Sequence, residues 1–513
     1  MTKLGLDPKQ INVIKQLAGD IAAHIQSFIN KHSSVSVERT ILRLYGVDSV
    51  NKEGIPLANK LIDILKNKGK LENGVSLQFA AAMVKSKKDV QTTAEIIDSG
   101  ELEFGTLHNL PIKHILSKQN ELVNKAISKL DRTKEIKIDK YNRFGLPKQP
   151  WKYIIVATGN IHEDVVQARS AVEAGADMIA VIRSTAQSLL DYVPYGATTE
   201  GYGGTYATQE NFRIMREALD DVSKKQGRYI RLVNYASGLC MSEIAACAAL
   251  EDLDVLLNDS MYGILFRDIN MKRTFIDQYF SRLICARAKI MINTGEDNYL
   301  TTSDAMDKAY TVTASDLINE AMAKKANLTE DLLGLGHAFE IDPKLENALL
   351  YEIAHAQLCR ELFPNSPIKY MPPTKYKSTD VFYSHCMDTM FNLVSIVTDQ
   401  STHLTGILTE AIHTPFMMDR YQSLSSVNYV FNIAKDLNSE IEFKSGGKIT
   451  TRAQQVLDET ESFLSKIKNM GLMKAISRKE FAGIVRPIDG GKGLDGIFKK
   501  GNSYSNALME RLI

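Results

Sequence analysis

Short apolar segments alternate with helical patterns from Trp151 to Tyr299, and this alternation constrains the fold more than any other feature of the sequence. The segments are rich in Val, Ile and Leu and nearly continuous in hydrophobicity, which is typical of strands buried on both faces of a sheet. The predicted strands are residues 152–157 (KYIIVA), 178–182 (MIAVI), 229–233 (YIRLV), 254–257 (DVLL) and 289–292 (KIMI). Because helices separate them, right-handed crossovers would make the sheet parallel and bring the strand C-termini to one face.

The alternation continues less regularly beyond Tyr299. Helical patterns cover residues 303–325 and 343–362, and strand-like segments follow at 367–371 and 403–409. About seven or eight βα units would fit a closed barrel better than an open doubly wound sheet. The sequence therefore predicts an α/β fold of the (β/α)8 TIM-like barrel class.

The segments on either side of the predicted barrel differ from it in pattern. Residues 1–145 show the helical spacing of apolar positions, and residues 436–513 become helical and then Gly-rich and basic. We therefore expect a catalytic barrel domain at residues 146–435, between a mainly helical N-terminal accessory region and a helical, Gly-rich C-terminal extension. The N-terminal region is expected to support packing or to bind a partner rather than to take part in catalysis.

The charge balance, the apolar runs and the cysteine content limit the partners and the cellular compartment that we expect for this chain. The 513 residues include 62 basic and 61 acidic side chains, and the net charge of +1 gives no global field that would favour nucleic acid or an anionic membrane. No uncharged apolar run approaches the roughly 18 residues of a membrane span, so a cytoplasmic protein is expected. The cysteines are too few for a disulfide framework, and no histidine spacing matches a metal site, so we expect no metal held by this chain alone.

Polar and reactive side chains follow each predicted strand. The clusters are residues 158–160, 183–188, 234–238, 258–262 and 293–298. Because parallel strands end at one face, these clusters should meet there. Ser, Thr, Asn and Asp after a strand can also be ordinary helix caps and turn formers, but that interpretation explains successive clusters less well than a single one.

Arg183 and the residues predicted near it have the chemistry of a phosphate and ring site. A guanidinium at the end of an apolar strand is costly to leave unpaired and is well shaped for two phosphate or carboxylate oxygens. Ser188 and Ser237 follow neighbouring strands and could complete a phosphate site. Tyr262 offers an aromatic plane and Arg267 a second cation. A phosphate joined to a flat ring is what pyridoxal phosphate presents.

Two further positions have charges suited to a substrate. Asp297, with Glu296 beside it, could bind an ammonium group or hold a charged ring nitrogen, and a surface turn is the alternative. Lys369, in the strand-like IKYM, could bind a substrate carboxylate or could be an exposed lysine at a strand edge. If Lys369 were desolvated near another cation, its pKa would fall and it could act as a Schiff-base nucleophile, so an aldolase-like lyase stays open. A noncatalytic barrel scaffold is the third alternative.

Several long blocks of the sequence resemble one enzyme family. The chain is similar to the large, or alpha, subunits of lysine 5,6-aminomutases over essentially its whole length. The blocks that carry the resemblance are VERTILRLYGVD (37–48), AGADMIAVIRSTAQSLLDYVPYGATTEGYGGTYATQENFRIMR (174–216), VNYASGLCMSEIA (233–245), LLNDSMYGILFRDINMKRTFIDQYFSR (256–282), INTGEDNYLTT (292–302) and IKYMPPTKY (368–376).

The resemblance implies an isomerase that uses adenosylcobalamin and pyridoxal phosphate. Such an enzyme moves the terminal amino group of D-lysine or L-β-lysine from C6 to C5 by a radical mechanism, in lysine degradation. The cofactors carry the difficult chemistry, and the protein supplies position and seclusion.

The resemblance also implies roles for individual residues. It places the phosphate end of pyridoxal phosphate near Ser237 and near a run of residues after the second predicted strand. It has Tyr262 packing against the ring, with Arg267 also near the cofactor, and Asp297 and Lys369 addressing the charged groups of the substrate. The run consists of Arg183, Ser184, Thr185, Ala186, Gln187 and Ser188.

One motif is absent from the sequence. Proteins that bind cobalamin with a histidine below the cobalt use an Asp-x-His-x-x-Gly motif, and no histidine here has an aspartate two positions earlier. In the family that the chain resembles, this motif and the lysine that joins pyridoxal phosphate belong to a smaller beta subunit. The resemblance therefore implies that this chain forms half of an active site and works with that subunit in an α2β2 assembly.

Overall fold

The computed structural model describes residues 3–107, 109–182, 191–193, 195–197, 199, 207–236, 238–294, 306–337 and 340–513. Its strands are β1 (His32–Ser34), β2 (Trp151–Ile155), β3 (Met178–Ile182), β4 (Arg231–Tyr235), β5 (Val255–Leu257), β6 (Met291–Asn293), β7 (Leu333–Gly334), β8 (Gly336–His337), β9 (Lys369–Tyr370), β10 (Thr402–Leu404) and β11 (Ile497–Lys499).

Helices precede, separate and follow these strands. They are α1 (Pro8–Asn30), α2 (Val35–Tyr45), α3 (Leu57–Asn67), α4 (Val75–Ser86), α5 (Val90–Asp98), α6 (Ile112–Phe144), α7 (Ile161–Glu173), α8 (Gln209–Gln226), α9 (Met241–Leu250), α10 (Ser260–Arg267), α11 (Met271–Ala288), α12 (Ala309–Lys325), α13 (Ala348–Leu362), α14 (Val381–Val397), α15 (Met417–Ile433), α16 (Leu437–Glu440), α17 (Lys448–Met470), α18 (Leu472–Ser477) and α19 (Ala507–Leu512). None of the described helices combines the length and apolarity needed to cross a membrane.

Strands β2 to β10 form one parallel sheet that nearly closes into a barrel. Neighbouring strands lie in the order β7-β6-β5-β4-β3-β2-β10-β9-β8, so β7 and β8 are at its edges. Only Leu335 separates these two short strands along the chain, and they pair with β6 and β9 respectively. They are two halves of one strand position, so the sheet has eight positions around the barrel. The predicted TIM-like barrel is therefore confirmed.

The predicted strands match the observed ones to within a few residues. The segment 178–182 is strand β3, and the others are displaced slightly or shortened, as 403–409 is to Thr402–Leu404. The strand position formed by β7 and β8 was not predicted. Its two halves are very short and contain glycines, so the segment lacks the apolar run by which a buried strand is recognised.

The glycines of this strand position are required by the closeness of strand β6. A Cβ atom on Gly334 would lie 2.3 Å from Asn293 Oδ1, and one on Gly336 would lie 2.8 Å from the carbonyl oxygen of Thr294. Real Cβ atoms do not approach other heavy atoms so closely, so the barrel can close here only around glycine.

The terminal segments pack directly on the barrel. Strand β1 pairs antiparallel with β11, which places His32 opposite Lys499. Helix α1 packs against α12 and α17, and the buried apolar side chains of the terminal helices and the barrel form one continuous cluster. Lys137 of α6 reaches beneath the barrel, where its Nζ donates to the carbonyl oxygens of Leu253 at 2.6 Å and Ala288 at 3.3 Å.

Candidate active site

A cavity of about 280 Å³ lies at the C-terminal end of the barrel. Ile155, Tyr235, Leu257, Asn293 and Leu404 line it, and they are the last residues of strands β2, β4, β5, β6 and β10. TIM barrels carry their active sites at this end. The cavity is therefore the candidate active site.

Lys369 places a buried cation at this cavity. The residue is 3% exposed, and its Nζ donates to the carbonyl oxygen of Thr294 at 3.3 Å. Strand β9, which carries Lys369, pairs with β8 on one side and β10 on the other. Lys369 is therefore an interior lysine that lines the cavity, and the interpretation as an exposed lysine at a strand edge is wrong.

Two tyrosines meet at the cavity, and neither was selected from the sequence as a site residue, although Tyr235 belongs to the predicted cluster 234–238. Tyr153 on β2 and Tyr235 on β4 both line the cavity, and their hydroxyl oxygens are 3.0 Å apart. Strand β3 lies between the two strands, so the side chains span it. The sequence did contain a signal for this pair, because each of two otherwise apolar strands carries a tyrosine. Side chains alternate between the two faces of a strand, and this two-residue periodicity can show that both tyrosines lie on the same face.

Some polar atoms at this end of the barrel have no hydrogen-bond partner in the described part of the chain. Asn293 Oδ1 and Thr405 Oγ1 belong to residues that line the cavity, and neither finds a hydrogen-bond partner among the described residues. The amide of Asn234, at 0% exposure on β4, has none there for either its nitrogen or its oxygen. Buried polar groups are normally paired, so Asn293 Oδ1 and Thr405 Oγ1 are available to a polar ligand in the cavity.

A buried group of charges supports one wall of the cavity. Lys377 Nζ lies 2.8 Å from Asp388 Oδ1 and 3.0 Å from Glu410 Oε1, and Glu410 lines the cavity. A Cβ atom on Gly406 would lie 2.8 Å from Lys377 Nζ, so a larger residue there would displace the charged side chains. Burial raises the pKa of Asp388 to about 6 although Lys377 opposes this. Burial, assisted by Lys377, lowers the pKa of His403 to about 3.

Tyr262 and Arg267 lie together on helix α10, which begins shortly after strand β5. Asp259 caps the helix by accepting a hydrogen bond from the Met261 amide at 3.0 Å. Arg267 Nη2 donates to the Tyr262 hydroxyl at 2.6 Å, and the guanidinium lies 5.2 Å from the ring centroid. The Arg267 Nε is buried and has no hydrogen-bond partner among the described residues. The structure thus brings together two predicted cofactor residues, although Tyr262 does not line the cavity described above.

The other predicted site residues lie outside the described residues, so their roles stay predictions. They are Arg183, Ser184, Thr185, Ala186, Gln187, Ser188, Ser237 and Asp297. In sequence, the first six follow directly after strand β3 and Ser237 follows shortly after β4. Within the described part of the chain, no group of three or more His, Cys, Asp or Glu side chains could hold a metal ion.

Comparison with known proteins shows the family. A family model described as the D-lysine 5,6-aminomutase TIM-barrel domain of the alpha subunit matches residues 4–511. The lysine 5,6-aminomutase alpha subunit of Fusobacterium nucleatum subsp. nucleatum is 51% identical over 514 residues, which are 100% of this chain and 99% of that protein. That of Acetoanaerobium sticklandii is 49% identical over 512 residues, with the same coverage. The chain belongs to the family of lysine 5,6-aminomutase alpha subunits.

Membership of the lysine 5,6-aminomutase alpha-subunit family confirms the resemblance seen in the sequence blocks. It identifies the chain as part of an aminomutase, which is an isomerase, built on a TIM barrel. A more distant relative, the D-ornithine 4,5-aminomutase subunit beta of Acetoanaerobium sticklandii, is 25% identical over 362 residues, which are 68% of this chain and 49% of that protein.

Proposed function

We propose that this chain is the barrel subunit of an adenosylcobalamin- and pyridoxal-phosphate-dependent enzyme that moves the terminal amino group of D-lysine or L-β-lysine from C6 to C5, in lysine degradation. The observation that carries the proposal is the buried Lys369 at a cavity on the C-terminal end of the barrel. The chain has 51% and 49% sequence identity to two lysine 5,6-aminomutase alpha subunits, which supports the same function. The cavity is close to the lower end of the roughly 300–1,000 Å³ usual for small-molecule sites.

The described residues fit pyridoxal phosphate. The buried Arg267 Nε, without a partner among them, is a free donor suited to an anion, and it lies beside the aromatic ring of Tyr262. Tyr262 would pack against the pyridine ring. The residues that would hold the phosphate are Arg183, Ser184, Thr185, Ala186, Gln187, Ser188 and Ser237.

The chain's own residues would bind and orient the substrate. Lys369 would bind the substrate carboxylate and Asp297 an ammonium group, so that a lysine isomer would be held by its charged groups. Both attractions are strengthened where water is excluded, as at the buried Lys369. When bound, pyridoxal phosphate supplies an electron-accepting ring for the migrating amino group and adenosylcobalamin supplies an organic radical. Fixing the reacting groups in one orientation lowers the entropic part of the barrier.

A second subunit is part of the proposal. The absence of an Asp-x-His-x-x-Gly motif from the sequence, together with the alpha-subunit names of the relatives, supports a small beta subunit that carries the cobalamin motif and the lysine that joins pyridoxal phosphate. We propose an α2β2 assembly that works in the cytoplasm.

The test is reconstitution of the purified chain with a small beta subunit from this family, both cofactors and each lysine isomer, without oxygen. We expect a product whose amino group has moved from C6 to C5, formed only when both subunits and both cofactors are present. Product position can be assigned by NMR. Activity that persists without either cofactor would contradict the proposal, and so would a product of another kind.

The lyase alternative is separated by borohydride reduction of the chain alone in the presence of an aldehyde, for which pyridoxal phosphate itself serves. The proposed function predicts no covalent adduct until the beta subunit is added. A trapped adduct on Lys369 in the isolated chain would favour a Schiff-base lyase instead. A scaffold would form no adduct under either condition and would retain no cofactor.

A further inference from the structure

Helices α14 and α15 present an exposed surface without charged side chains. Both helices lie wholly within the described residues, and their exposed positions include no Asp, Glu, Lys or Arg. Helix α8, another outer helix of the barrel, instead exposes Arg213, Glu217 and Asp221. The apolar face consists of Phe382 and Met390 on α14 and Met418, Tyr421, Tyr429 and Ile433 on α15. Surfaces that meet a partner are depleted in charge and enriched in aromatic residues and Met.

The exposed residues of the two helices form one surface. The helices pack against each other, and Thr389 Oγ1 of α14 lies 3.3 Å from Ser426 Oγ of α15. Tyr421, Tyr429 and Ile433 recur at helical spacing, so they lie along one side of α15. The apolar face is therefore continuous across both helices.

The opposite side of α15 is fixed to the barrel. Leu424 and Val427 are buried there. Arg420 Nε donates to the carbonyl oxygen of Ile155 at 3.0 Å, and Asn428 Nδ2 donates to that of Ala174 at 3.0 Å. Because these contacts prevent the helix from turning over, its apolar side stays on the surface of this chain.

The apolar face is larger than an ordinary surface patch. Phe382 is 81% exposed and Tyr429 64% exposed. Large side chains have about 150–250 Å² of surface each, so the face exposes on the order of 700 Å². The largest patch on a typical monomer is about 300–600 Å², and a stable interface takes about 800 Å² from each partner. The face therefore has nearly the size of one half of a protein interface.

The apolar face begins at the rim of the candidate active site. Helices α14 and α15 follow strands β9 and β10 of the parallel sheet, so both helices begin at the C-terminal end of the barrel. Ala411 lines the cavity, and the next residue, Ile412, is exposed. A protein bound to this face would therefore extend along the side of the barrel up to the cavity.

The second subunit is the partner that this position suits. The names of the relatives imply such a subunit, and the proposed function requires groups at the cavity that this chain does not carry. The accessory segments of this chain lie elsewhere, since α1 packs on α12 and α17 packs on α12 and α13. A second copy of this chain would bring no residue that the first copy lacks, whereas a beta subunit would.

We propose that the apolar face of α14 and α15 is the docking surface for the beta subunit, and that docking there brings the beta subunit to the mouth of the cavity. This inference rests on the proposed function, of which the beta subunit is a part. The contacting surface of the beta subunit should itself be apolar, because the face offers no charge to pair with. Removing these side chains from water drives the association.

The test measures the dissociation constant between the full chain and the beta subunit by isothermal titration calorimetry, for the wild type, Tyr429→Glu and Phe382→Glu. Both positions are exposed, so each change should leave the free energy of unfolding nearly as it is, which urea denaturation checks. A carboxylate in the apolar interface would have no partner, so we expect the dissociation constant to rise at least about 30-fold in each variant. Because the defect lies in association, a higher concentration of beta subunit should restore turnover.

Ile136→Glu is the matched control. Ile136 is also an exposed apolar residue of a helix, but it lies in α6 between the exposed Glu135 and the buried Lys137, which reaches beneath the barrel. Its dissociation constant should stay within about twofold of the wild type. An equal loss in this control would show that added negative charge anywhere repels the beta subunit, and would overturn the proposed docking surface.

Two further results would overturn the inference. Folded Tyr429→Glu and Phe382→Glu chains that bind the beta subunit like the wild type would place the apolar face outside that interface. A change in the self-association of the chain alone, measured by sedimentation, with unchanged affinity for the beta subunit would assign the face to contact between two copies. A wild-type chain that forms no complex with the beta subunit would instead contradict the proposed function.

Discussion

The two ends of the barrel use their charges differently. At the N-terminal end, charged side chains lie in ion pairs within the chain. Arg228 Nη1 lies 2.6 Å from Asp177 Oδ1, and Lys140 Nζ lies 2.6 Å from Asp252 Oδ2. These residues lie just before strands β3, β4 and β5 or, for Lys140, in helix α6, so the contacts fix this end of the barrel and serve stability.

At the C-terminal end, several polar atoms are available to a ligand. Asn293 Oδ1 and Thr405 Oγ1 belong to residues that line the cavity and lack hydrogen-bond partners among the described residues, and Lys369 lines the same cavity. Arg267 Nε, on helix α10 outside that lining, also lacks a partner among the described residues. Leaving such groups unpaired costs stability, which a ligand can restore by binding them. The contrast shows that the residues that stabilise the barrel and the residues that bind a ligand can lie at opposite ends of the same barrel.

Arg216→Met should have the largest effect on stability, because it breaks a buried ion pair at the N-terminal end. The change leaves the Asp254 carboxylate, which also accepts from Tyr229, without its guanidinium. We expect a loss of about 3–5 kcal/mol in the free energy of unfolding, measured by urea denaturation. Arg213→Met on the same helix removes only exposed pairs and should cost less than about 0.5 kcal/mol. Equal losses in the two variants would show that the buried Arg216–Asp254 pair stabilises the protein no more than the exposed pairs of Arg213.

Lys369→Met should lower activity, whereas a matched lysine variant at the N-terminal end of the barrel should not. Removing one member of a buried charge pair costs about 2–5 kcal/mol, so kcat/KM of the reconstituted enzyme should fall by roughly 30-fold to several thousandfold. Lys137→Met removes an equally buried lysine at the N-terminal end and should lower stability with little change in kcat/KM. If both variants lose activity equally, the division between the ends is wrong.

The barrel was predictable from local signals, whereas its closure was not. Strand β3 and the burial of neighbouring strands follow from runs of Val, Ile and Leu, and IKYM led to Lys369 by the same signal. The position shared by β7 and β8 is defined by the close approach of Gly334 to Asn293, which is a contact between distant residues. Local patterns contain no such information.

The candidate site shows the same limit. Tyr262 and Arg267 are five positions apart on one helix, and both were selected from the sequence and are in contact. Tyr153 and Tyr235 are far apart in the sequence and were not selected. Only the folded chain brings their hydroxyl groups together.

Gly334→Ala tests the closure of the barrel, and a smaller effect is expected. The new methyl group would meet Asn293 Oδ1 and the carbonyl oxygen of Ile292, so the strand must shift, at a cost of about 1–3 kcal/mol of unfolding free energy. Gly19→Ala is the control, since a Cβ atom there meets nothing within 4 Å inside helix α1. That change should stabilise the protein by about 0.5–1 kcal/mol. A neutral Gly334→Ala would contradict the close approach.

The smallest expected effect is a dependence of stability on pH that arises beside the cavity. Burial lowers the pKa of His403 from 6.5 to about 3, so the unfolded chain takes up a proton first as the pH falls. The neutral His403 side chain contributes fully to the free energy of unfolding above pH 6.5, and this contribution is lost as the pH falls towards 3. About 1–2 kcal/mol of it is lost by pH 5. Asp388 acts in the opposite sense, because its raised pKa lets the folded state bind the proton first.

His403→Gln isolates this contribution, because Asp388 is present in both proteins. The difference in unfolding free energy between pH 7 and pH 5, measured by urea denaturation, should shift by about 1–2 kcal/mol towards greater acid stability in the variant. His24→Gln, in helix α1 away from this wall, should leave the difference as it is in the wild type. If His403→Gln has the same pH dependence of stability as the wild type, burial beside Lys377 does not keep the histidine neutral. Water would then reach this wall of the cavity more freely than the packing of the side chains indicates.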